Sequence, residues 1–377
     1  MADSRAALRE ARRVVVKVGT STLAYGPGRM NLTRMEKLVR ELVDIHNAGR
    51  DVLLVSSGAI AAGLGRLGRH ERPTELAEKQ AVAAVGQGML MHIYEKLFAE
   101  YGQVAAQVLL TKENAVRHNQ YRHSRDALLA LLDLGVIPVI NENDAVAVDE
   151  IKIGDNDSLS AMVATLVDAD ALILLSDIEG LYTANPQTHA DARLIEEIPE
   201  ITPEVERIAG GAGSSMGTGG MSTKIEAAKV AMSAGVTMVI APGAREGAVR
   251  AVLAGENVGT VFPAKESHLR VRKSWLAFGR RLAGDLVVDA GCEKAMREHG
   301  SSLLAAGITA VDGTFAAGST VRVLTEGGQE IARGTVNYDS GTLARLIGHQ
   351  TGEFAEILPG RSLPEEVIHR DNMVLMV

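Results

Sequence analysis

Two lysines lie beside glycine-rich turns, where their positive charge could meet a phosphate group. Lys17 precedes Gly19-Thr20-Ser21, and Lys224 ends the segment 217–224, Gly-Thr-Gly-Gly-Met-Ser-Thr-Lys. Backbone N–H groups at the start of a helix, with a lysine nearby, are typical of an anion site. A P-loop is excluded, because its lysine directly follows a glycine and the chain contains no Gly-Lys pair. A lid without a nucleotide role is the alternative interpretation of 217–224.

A second group of candidate residues is rich in carboxylates and amides. The segment 154–157, Gly-Asp-Asn-Asp, opens a stretch with helical periodicity, and the segment 141–144, Asn-Glu-Asn-Asp, lies shortly before it. Helix capping would account for Asp155 or Asn156, but not for three polar residues in succession. We therefore expect these segments to hold a substrate ammonium group and to orient the lysines.

The elements that must position these residues follow from hydrophobic patterning. Apolar, β-branched runs alternate with helical periodicity up to about residue 265, which predicts an α/β fold with a largely parallel sheet. Ligands of open α/β sheets bind beyond the carboxyl ends of the strands, where polar clusters follow four of the runs. Gly19 and Gly58 could instead only permit tight turns. The predicted strands are 14–18, 52–55, 136–140, 171–175 and 236–240, and the clusters are 17–21, 56–58, 141–144 and 176–177.

Two other glycine-containing segments do not predict a ligand-binding site. Residues 63–68, Gly-Leu-Gly-Arg-Leu-Gly, match the dinucleotide-binding expression, but they begin eight residues beyond the predicted strand 52–55, so we take the match as false. Gly86 and Gly88 fall within a helical region at 75–101 and predict a kink or a helix in two pieces there.

Composition favours a small-molecule partner. Of the 377 residues, 46% are hydrophobic and 23% are charged, which suits two globular domains and excludes extensive disorder. The net charge of -8 argues against nucleic acid as the main partner, since phosphate backbones are held by clustered Lys and Arg. The single cysteine, Cys292, cannot form an intramolecular disulfide, so we expect a small core residue in a reducing compartment. Residues 1–18 lack the pattern of a signal peptide or membrane span, and a cytoplasmic location is expected.

The character of the sequence changes after Pro263. Short strand-like runs separated by glycine-containing hairpin signals predict a small β-rich domain. Residues 266–377 contain 12 Lys or Arg and 14 Asp or Glu, so the domain has no basic excess of the kind that RNA binding requires. The runs are 286–288, 307–311, 320–324 and 331–337.

Five motifs, in order along the chain, resemble the amino acid kinase family. They are Val-Val-Lys-Val-Gly-Thr-Ser at 15–21, Ser-Ser-Gly-Ala-Ile at 56–60, Val-Ile-Asn-Glu-Asn-Asp at 139–144, Gly-Asp-Asn-Asp at 154–157 and the glycine-rich segment 217–224. The part of the chain that contains Gly-Ser-Ser-Leu-Leu at 300–304 and the β-rich segment after it is similar to a PUA domain. The resemblance implies an open, mainly parallel sheet sandwiched by helices, followed by a small β-rich PUA-like domain. We expect an amino acid kinase domain at 1–265, a linker at 266–282 and the PUA-like domain at 283–377.

The resemblance also implies an activity and residue roles. The activity would be ATP-dependent phosphorylation of the γ-carboxylate of L-glutamate, the first step of proline biosynthesis. Lys17 and Lys224 would contact the transferring phosphoryl group, and Asp157 would orient both lysines. Glutamate would be bound by Ser57, Asp144, Asn156 and Asp155. The nucleotide would be bound by Lys17, Ser176, Asp177, Thr218, Gly219, Gly220, Met221, Ser222, Thr223 and Lys224.

Such a reaction needs no general base. A glutamate side-chain carboxylate has a reference pKa of about 4.3, so it is ionised and nucleophilic at neutral pH. What remains is to bring two anions together and to neutralise charge on the transferred group, which suits two lysines, Mg²⁺ and backbone amides. The sequence does not indicate direct Mg²⁺ ligands.

Partners are implied by the resemblance as well. They are ATP and Mg²⁺ as cofactors, proline as feedback inhibitor, further copies of the chain in a dimer or tetramer, and glutamate semialdehyde dehydrogenase as recipient of the labile acyl phosphate. No membrane partner and no RNA binding by the PUA-like domain are expected. The alternatives are an amino acid kinase with a different substrate and, from another class, an RNA-binding regulatory protein.

Overall fold

A computed structural model places a separate sheet in each of two units of the chain, Met1–His268 and Leu269–Val377. The predicted linker at 266–282 falls mostly outside the residues that the structure describes. Those residues are 4–26, 28–69, 71–111, 118–146, 156–186, 188–189, 191–210, 220–265, 282–357 and 364–376.

The first unit is built on a seven-stranded sheet with a mainly parallel arrangement. Its described strands are β1 (Arg13–Val18), β2 (Ala24–Gly26), β3 (Arg29–Met30), β4 (Asp51–Ser56), β5 (Ala105–Leu110), β6 (Ile137–Glu142), β7 (Ala171–Ser176), β8 (Thr237–Pro242) and β9 (Thr260–Phe262). The order in the sheet is β5-β6-β4-β1-β7-β8-β9, and β2 pairs with β3 in a separate hairpin. Only β9 is antiparallel to its neighbour in this sheet. The predicted fold class is therefore confirmed.

The direction in which the sheet grows reverses at β1. After β1 the chain builds β4, β5 and β6 on one side, and it then returns to add β7 and β8 on the other. Ligands of open α/β sheets bind where the strand order reverses. Val18, at the carboxyl end of β1, lies opposite Ser56 of β4 and Leu175 of β7. Residues that follow these three strands consequently meet at one place.

Helices cover both faces of this sheet. Helix α3 illustrates how the sequence specifies one: the Asn31 side chain caps it by accepting the Arg34 N–H, and apolar residues at helical spacing form its buried face. The described helices of the unit are α1 (Ser4–Glu10), α2 (Thr20–Leu23), α3 (Leu32–Asn47), α4 (Ala59–Arg66), α5 (Leu76–Ala99), α6 (His118–Asp133), α7 (Asn156–Leu166), α8 (Pro203–Ala209), α9 (Met221–Ser233) and α10 (Ala248–Leu253).

The alternation of side chains along β1 decides where Lys17 lies. Val14, Val16 and Val18 belong to a hydrophobic cluster that includes residues of α3 and α10. Lys17 occupies the alternate position, so it lies on the opposite face, because successive residues of a strand point to opposite faces. Helix α7 contacts β1 and packs against α9. A lysine in an otherwise apolar strand is thus directed between the sheet and these two helices.

Glycines set the distance between α4 and α5. A Cβ at Gly86 of α5 would lie 1.7 Å from the Ala59 carbonyl oxygen, and one at Gly63 of α4 would lie 2.0 Å from the Val82 carbonyl oxygen. The two helices therefore touch backbone to backbone. Of the two alternatives predicted at 75–101, a kink or a helix in two pieces, the second is wrong, since α5 runs unbroken over 24 residues. Gly86 serves helix packing, and Gly65 of the false dinucleotide motif similarly faces the Gly28 carbonyl oxygen.

The second unit contains a five-stranded mixed sheet of order β11-β10-β12-β13-β14. Arg322 of β12 makes a bidentate pair with Asp285 of β10 at 2.7 and 2.6 Å. Cys292 packs against the hydrophobic core of the unit, and burial raises the pKa of its thiol to about 11. The elements are β10 (Leu282–Val288), α11 (Ala290–His299), β11 (Ile308–Asp312), β12 (Thr320–Thr325), β13 (Glu330–Thr335), α12 (Ser340–Leu346), α13 (Phe354–Ile357) and β14 (Met373–Leu375), with 3₁₀ turns at Ala305–Gly307, Thr351–Glu353 and Arg370–Asn372.

None of the helices in the described ranges combines the length and the hydrophobicity needed to cross a lipid bilayer.

We predict that Gly86→Ala destabilises the first unit, because the new methyl group would overlap backbone atoms of α4. Overpacking of this kind costs about 1–3 kcal/mol, and backbone cannot move aside as a side chain can. Gly88→Ala is the matched control: it lies two residues away in the same helix, and its Cβ would meet no atom within 4 Å. This control should be neutral or gain up to about 1 kcal/mol of helix propensity. Urea unfolding followed by circular dichroism measures both, and equal midpoints for the two variants would contradict the prediction.

Candidate active site

A buried carboxylate lies between two buried lysines at the place where the sheet order reverses. Lys17 Nζ is 2.5 Å from Asp157 Oδ1, and Lys224 Nζ is 2.9 Å from Asp157 Oδ2. Asp157 is 0% exposed and each lysine is 7% exposed. The sequence motifs that contain these residues are more than 60 positions apart, and the fold brings them into direct contact.

The charges of this group do not cancel. Burial alone would raise the pKa of Asp157, but the charges of Lys17 and Lys224 and their hydrogen bonds outweigh burial and hold that pKa well below its usual range. One carboxylate thus faces two ammonium groups, and the cluster keeps one net positive charge. A buried excess charge is unfavourable unless a counter-ion arrives. The arrangement therefore favours an anionic ligand.

Helix termini position two members of the group. Asp157 lies in the first turn of α7, and Lys224 lies in the first turn of α9, which begins after Gly220. The Thr223 hydroxyl lies 2.8 Å from the Gly220 carbonyl oxygen and 3.1 Å from Asp157 Oδ2, so it ties the start of α9 to the carboxylate. The N-terminus of a helix carries partial positive charge and unpaired N–H groups. Both helix starts add to the attraction for an anion.

A second polar group begins one residue earlier, at Asn156. Its Nδ2 lies 2.9 Å from Ser57 Oγ, 3.1 Å from the Ser56 carbonyl oxygen and 3.0 Å from Asn141 Oδ1. Ser56 ends β4, Asn141 is the next-to-last residue of β6, and Asn156 opens α7. Ser57 and Asn156, which were both predicted to bind glutamate, are thus hydrogen-bonded to each other in the structure. Successive helix residues point in directions about 100° apart, which lets Asn156 and Asp157 serve two adjoining groups.

Four residues of this second group, Ser56, Asn141, Gln87 and Tyr94, were not among the predicted site residues. Asn141 Nδ2 donates to Gln87 Oε1 at 2.8 Å, and the Ser56 hydroxyl lies 2.8 Å from the Tyr94 hydroxyl. Burial raises the pKa of Tyr94, so it stays neutral. Ser56 and Asn141 lie within predicted clusters. Gln87 and Tyr94 are on α5, which also holds other polar residues such as Lys79, Gln80 and Glu95, so the sequence of this helix did not single out these two.

The remaining predicted site residues lie in several parts of the first unit, and three of them are outside the described residues. Ser176 is buried at the end of β7, and its hydroxyl donates to Asp177 Oδ1 at 3.1 Å. Asp144 lies half-buried in the turn beyond β6. Gly220 precedes α9, and Met221 and Ser222 open that helix. Asp155, Thr218 and Gly219 lie outside the described residues.

A separate cavity of about 320 Å³ lies beside α3 and the loop after β8. None of the predicted site residues lines it. Its charged side chains include Lys37, which pairs with Glu246 at 2.7 Å, and Arg245, which pairs with Glu256 at 2.9 Å. The cavity is thus distinct from the group formed by Lys17, Asp157 and Lys224.

Comparison of sequences identifies the class of protein that this fold and site define. The model of the amino acid kinase family matches residues 12–242, and the model of the PUA domain matches residues 284–358. The first match spans more than half of the chain, and the chain belongs to the amino acid kinase family. Its C-terminal part is a PUA domain.

Curated relatives with one shared name are similar over almost the whole chain. Glutamate 5-kinase of Moorella thermoacetica is 54% identical over 374 residues, which covers 99% of both chains. Glutamate 5-kinase of Carboxydothermus hydrogenoformans is 50% identical over 99% of this chain and 100% of its own, and that of Deinococcus radiodurans is 49% identical over 97% and 100%. A solved UMP kinase from Bacillus anthracis has a TM-score of 0.47 and 15% identity over 67% of this chain and 96% of its own, which is too weak to support an argument.

We predict that Asp157→Asn lowers the free energy of unfolding, because it leaves two buried ammonium groups without their counter-charge. Breaking a buried ion pair on one side costs about 3–5 kcal/mol. Since the pKa of Asp157 is lowered by folding, its contribution is complete above the unfolded value of about 4 and is lost as the pH falls further. The difference from the unmodified chain should therefore be constant from neutral pH down to about 5 and shrink below about 4.

Asp168→Asn is the matched control for this experiment. Asp168 also pairs with a basic side chain, Arg125 at 2.5 Å, but it is 59% exposed. Loss of an exposed pair costs about 1 kcal/mol or less. Urea unfolding across this pH range distinguishes the variants, and an Asp157→Asn variant as stable as Asp168→Asn would refute the electrostatic account.

Proposed function

We propose that this chain transfers the γ-phosphoryl group of ATP to the side-chain carboxylate of L-glutamate, the reaction of a glutamate 5-kinase and the first step of proline biosynthesis. The observation that carries the proposal is the buried group of Lys17, Asp157 and Lys224, which keeps one net positive charge. The names of relatives at about half identity over the whole chain support glutamate as the acceptor.

The transfer step depends on bringing two anions together. The γ-carboxylate of glutamate is ionised at neutral pH, since its reference pKa is about 4.3, and it attacks the γ-phosphorus without prior loss of a proton. The bond between the γ-phosphorus and the oxygen that bridges to the β-phosphate breaks, and ADP leaves with the electron pair. The products are ADP and glutamyl 5-phosphate. A general base is unnecessary, which fits a site whose buried charged members are two lysines and one aspartate.

The two lysines act on charge that develops during transfer. Lys17 and Lys224 are held on opposite oxygens of Asp157, so each ammonium is fixed before the substrates arrive. Donors fixed in advance stabilise a transition state without reorganisation at the moment of reaction. Asp157 accordingly orients both lysines and, because its pKa is strongly lowered, remains an anion and does not exchange protons.

Two adjoining groups of residues would hold the two substrates. Glutamate lies on the side of β4 and β6, where Ser57 and Asn156 are in contact, with Asp144 and Asp155 as further candidates. The nucleotide lies on the side of β7 and α9, where Ser176, Asp177 and the residues from 218 to 224 are the candidates. Proline, which shares the α-carboxylate and ammonium groups of glutamate, would compete for the first group.

Magnesium would enter as part of the substrate MgATP. This ion binds through phosphate oxygens and water together with one or two carboxylates, and it stabilises charge on the phosphates. Among the described residues, no group of three or more His, Cys, Asp or Glu side chains could hold a metal ion. Oligomer formation and delivery of the acyl phosphate to a dehydrogenase stay predictions from the resemblance.

A panel of acceptors tests the proposed function. The purified chain is supplied with MgATP and, in turn, glutamate, aspartate, N-acetylglutamate and UMP, with hydroxylamine present to trap an acyl phosphate as a hydroxamate. We expect ADP release in every productive case and hydroxamate formation with glutamate at the highest kcat/KM. Hydroxamate with aspartate alone, or phosphorylation of UMP alone, would overturn the choice of substrate.

We predict that Lys224→Ala lowers kcat by about 100- to 1,000-fold, because its ammonium stabilises charge in the transition state. KM for glutamate should change by less than about threefold, since that substrate is bound by the other group of residues. Lys229→Ala is the control on the same helix: Lys229 pairs with Glu206 and Glu226 and does not contact Asp157 in the described network. Steady-state kinetics decide, and equal kcat values for the two variants would refute the role of Lys224.

A further inference from the structure

A chain of side-chain amides leads from α5 to the predicted glutamate site. Gln87 Oε1 accepts from Asn141 Nδ2 at 2.8 Å, and Asn141 Oδ1 lies 3.0 Å from Asn156 Nδ2. Gln87 itself makes no described contact with the lysines or with Asp157. Its place in the fold is therefore explained neither by phosphoryl transfer nor by packing of an apolar core.

Hydrogen bonds fix which way the amides of Asn141 and Asn156 face. Asn141 Oδ1 also accepts the backbone N–H of Glu142 at 2.9 Å, so the oxygen end of that amide is held by β6 itself. Gln87 holds the nitrogen end. With both ends held, Asn141 presents an acceptor to Asn156, and a flipped amide would place two donors against each other. The Asn156 nitrogen is surrounded by three acceptors, so its carbonyl oxygen faces away from them.

The orientation of Asn156 matters for an amino acid ligand. An amide with its nitrogen directed into the protein offers its oxygen to a donor, and the α-ammonium group of a free amino acid is such a donor. A flipped amide would offer N–H groups to the ammonium and would repel it. Selectivity for the ammonium thus depends on the hydrogen bonds behind Asn156.

We propose that Gln87 is a positioning residue for the acceptor substrate: through Asn141, it holds the Asn156 amide in the orientation that accepts an amino acid ammonium group. The proposal rests on the proposed function, because it assigns Asn156 to glutamate. Gln87 acts through Asn141 and Asn156 and contacts neither substrate.

The position of Gln87 is itself fixed by helix packing. It follows Gly86, whose hydrogen atoms face the backbone of Ala59 and Gly63 in α4. Helix α4 begins directly after Ser57 and Gly58, so the serine of the glutamate site and the glutamine behind it belong to two helices in backbone contact. This arrangement leaves α5 little freedom to shift, and Gln87 can therefore transmit a fixed geometry.

The test combines Gln87→Met with Asn156→Ala in a double-mutant cycle. Methionine keeps the length and volume of glutamine but cannot accept the hydrogen bond. We expect Gln87→Met to raise KM for glutamate by about 3- to 10-fold, the range for loss of one neutral hydrogen bond, and to leave kcat and KM for ATP within about twofold. Asn156→Ala should raise KM for glutamate by about 10- to 100-fold. In that background, Gln87→Met should add less than about 1.5-fold, because interacting sites are not additive.

Two further variants separate positioning from folding. Gln87→Asn keeps a polar side chain that is too short to reach Asn141, and it should raise KM for glutamate in the same direction as Gln87→Met. Gln103→Met is the matched control, since Gln103 is a half-buried glutamine of the same unit whose side-chain amide donates to the Gly135 carbonyl oxygen at 2.6 Å, away from the site. It should leave all kinetic constants unchanged, and urea unfolding verifies that each variant is folded.

The outcomes are distinct. A rise in KM for glutamate that persists undiminished in the Asn156→Ala background would show that Gln87 does not act through Asn156 and would overturn the proposal. A loss of ATP binding in place of glutamate binding would overturn it as well. If the unmodified chain does not phosphorylate glutamate, the proposed function itself fails, and that result is visible before any variant is compared.

Discussion

The Asp157 carboxylate between two lysines is the interaction on which the rest of the site depends. Two ammonium groups brought this close in a buried place would repel each other, and the carboxylate makes their proximity possible without cancelling their charge. The site therefore keeps an uncompensated positive charge that attracts an anion to the space between β1, α7 and α9. The neighbouring strands and helices must keep their positions, since the short distances from Asp157 to Lys17 and Lys224 allow little movement.

The doubly wound topology of the sheet brings Lys17, Asp157 and Lys224 together. Strand β1 has neighbours on both sides, so the residues after β4 and those after β7 approach Lys17 from opposite directions. The first turn of α7 lies between them and contributes Asn156 to one side and Asp157 to the other. A single helical turn thereby joins the place proposed for the acceptor to the place proposed for the transferred group.

Much of the fold and part of the site could be predicted from the sequence. The buried strands β1, β4, β6, β7 and β8 were visible because they are continuous apolar runs, and they match the structure within two residues. Strand β5 was missed, since an edge strand with alanines and a glutamine lacks that signal. Lys17 and Lys224 stood out as charges beside glycines. The contact partner of Asn141 could not be predicted, because a glutamine within a long helix gives no local indication of the strand that it faces.

The reversal of the strand order at β1 also separates the residues proposed to bind the acceptor from most of those proposed to bind the nucleotide. The residues proposed to recognise the acceptor lie after β4, in β6 and at the start of α7, with Gln87 behind them on α5, whereas Lys224 and most candidates for the nucleotide lie at the end of β7 and the start of α9. Substitutions that reshape acceptor recognition therefore fall on elements that hold no lysine of the transfer site. In this proposal, acceptor recognition and phosphoryl transfer are assigned to separate elements, and the two assignments adjoin in the first turn of α7, where Asn156 and Asp157 are consecutive residues.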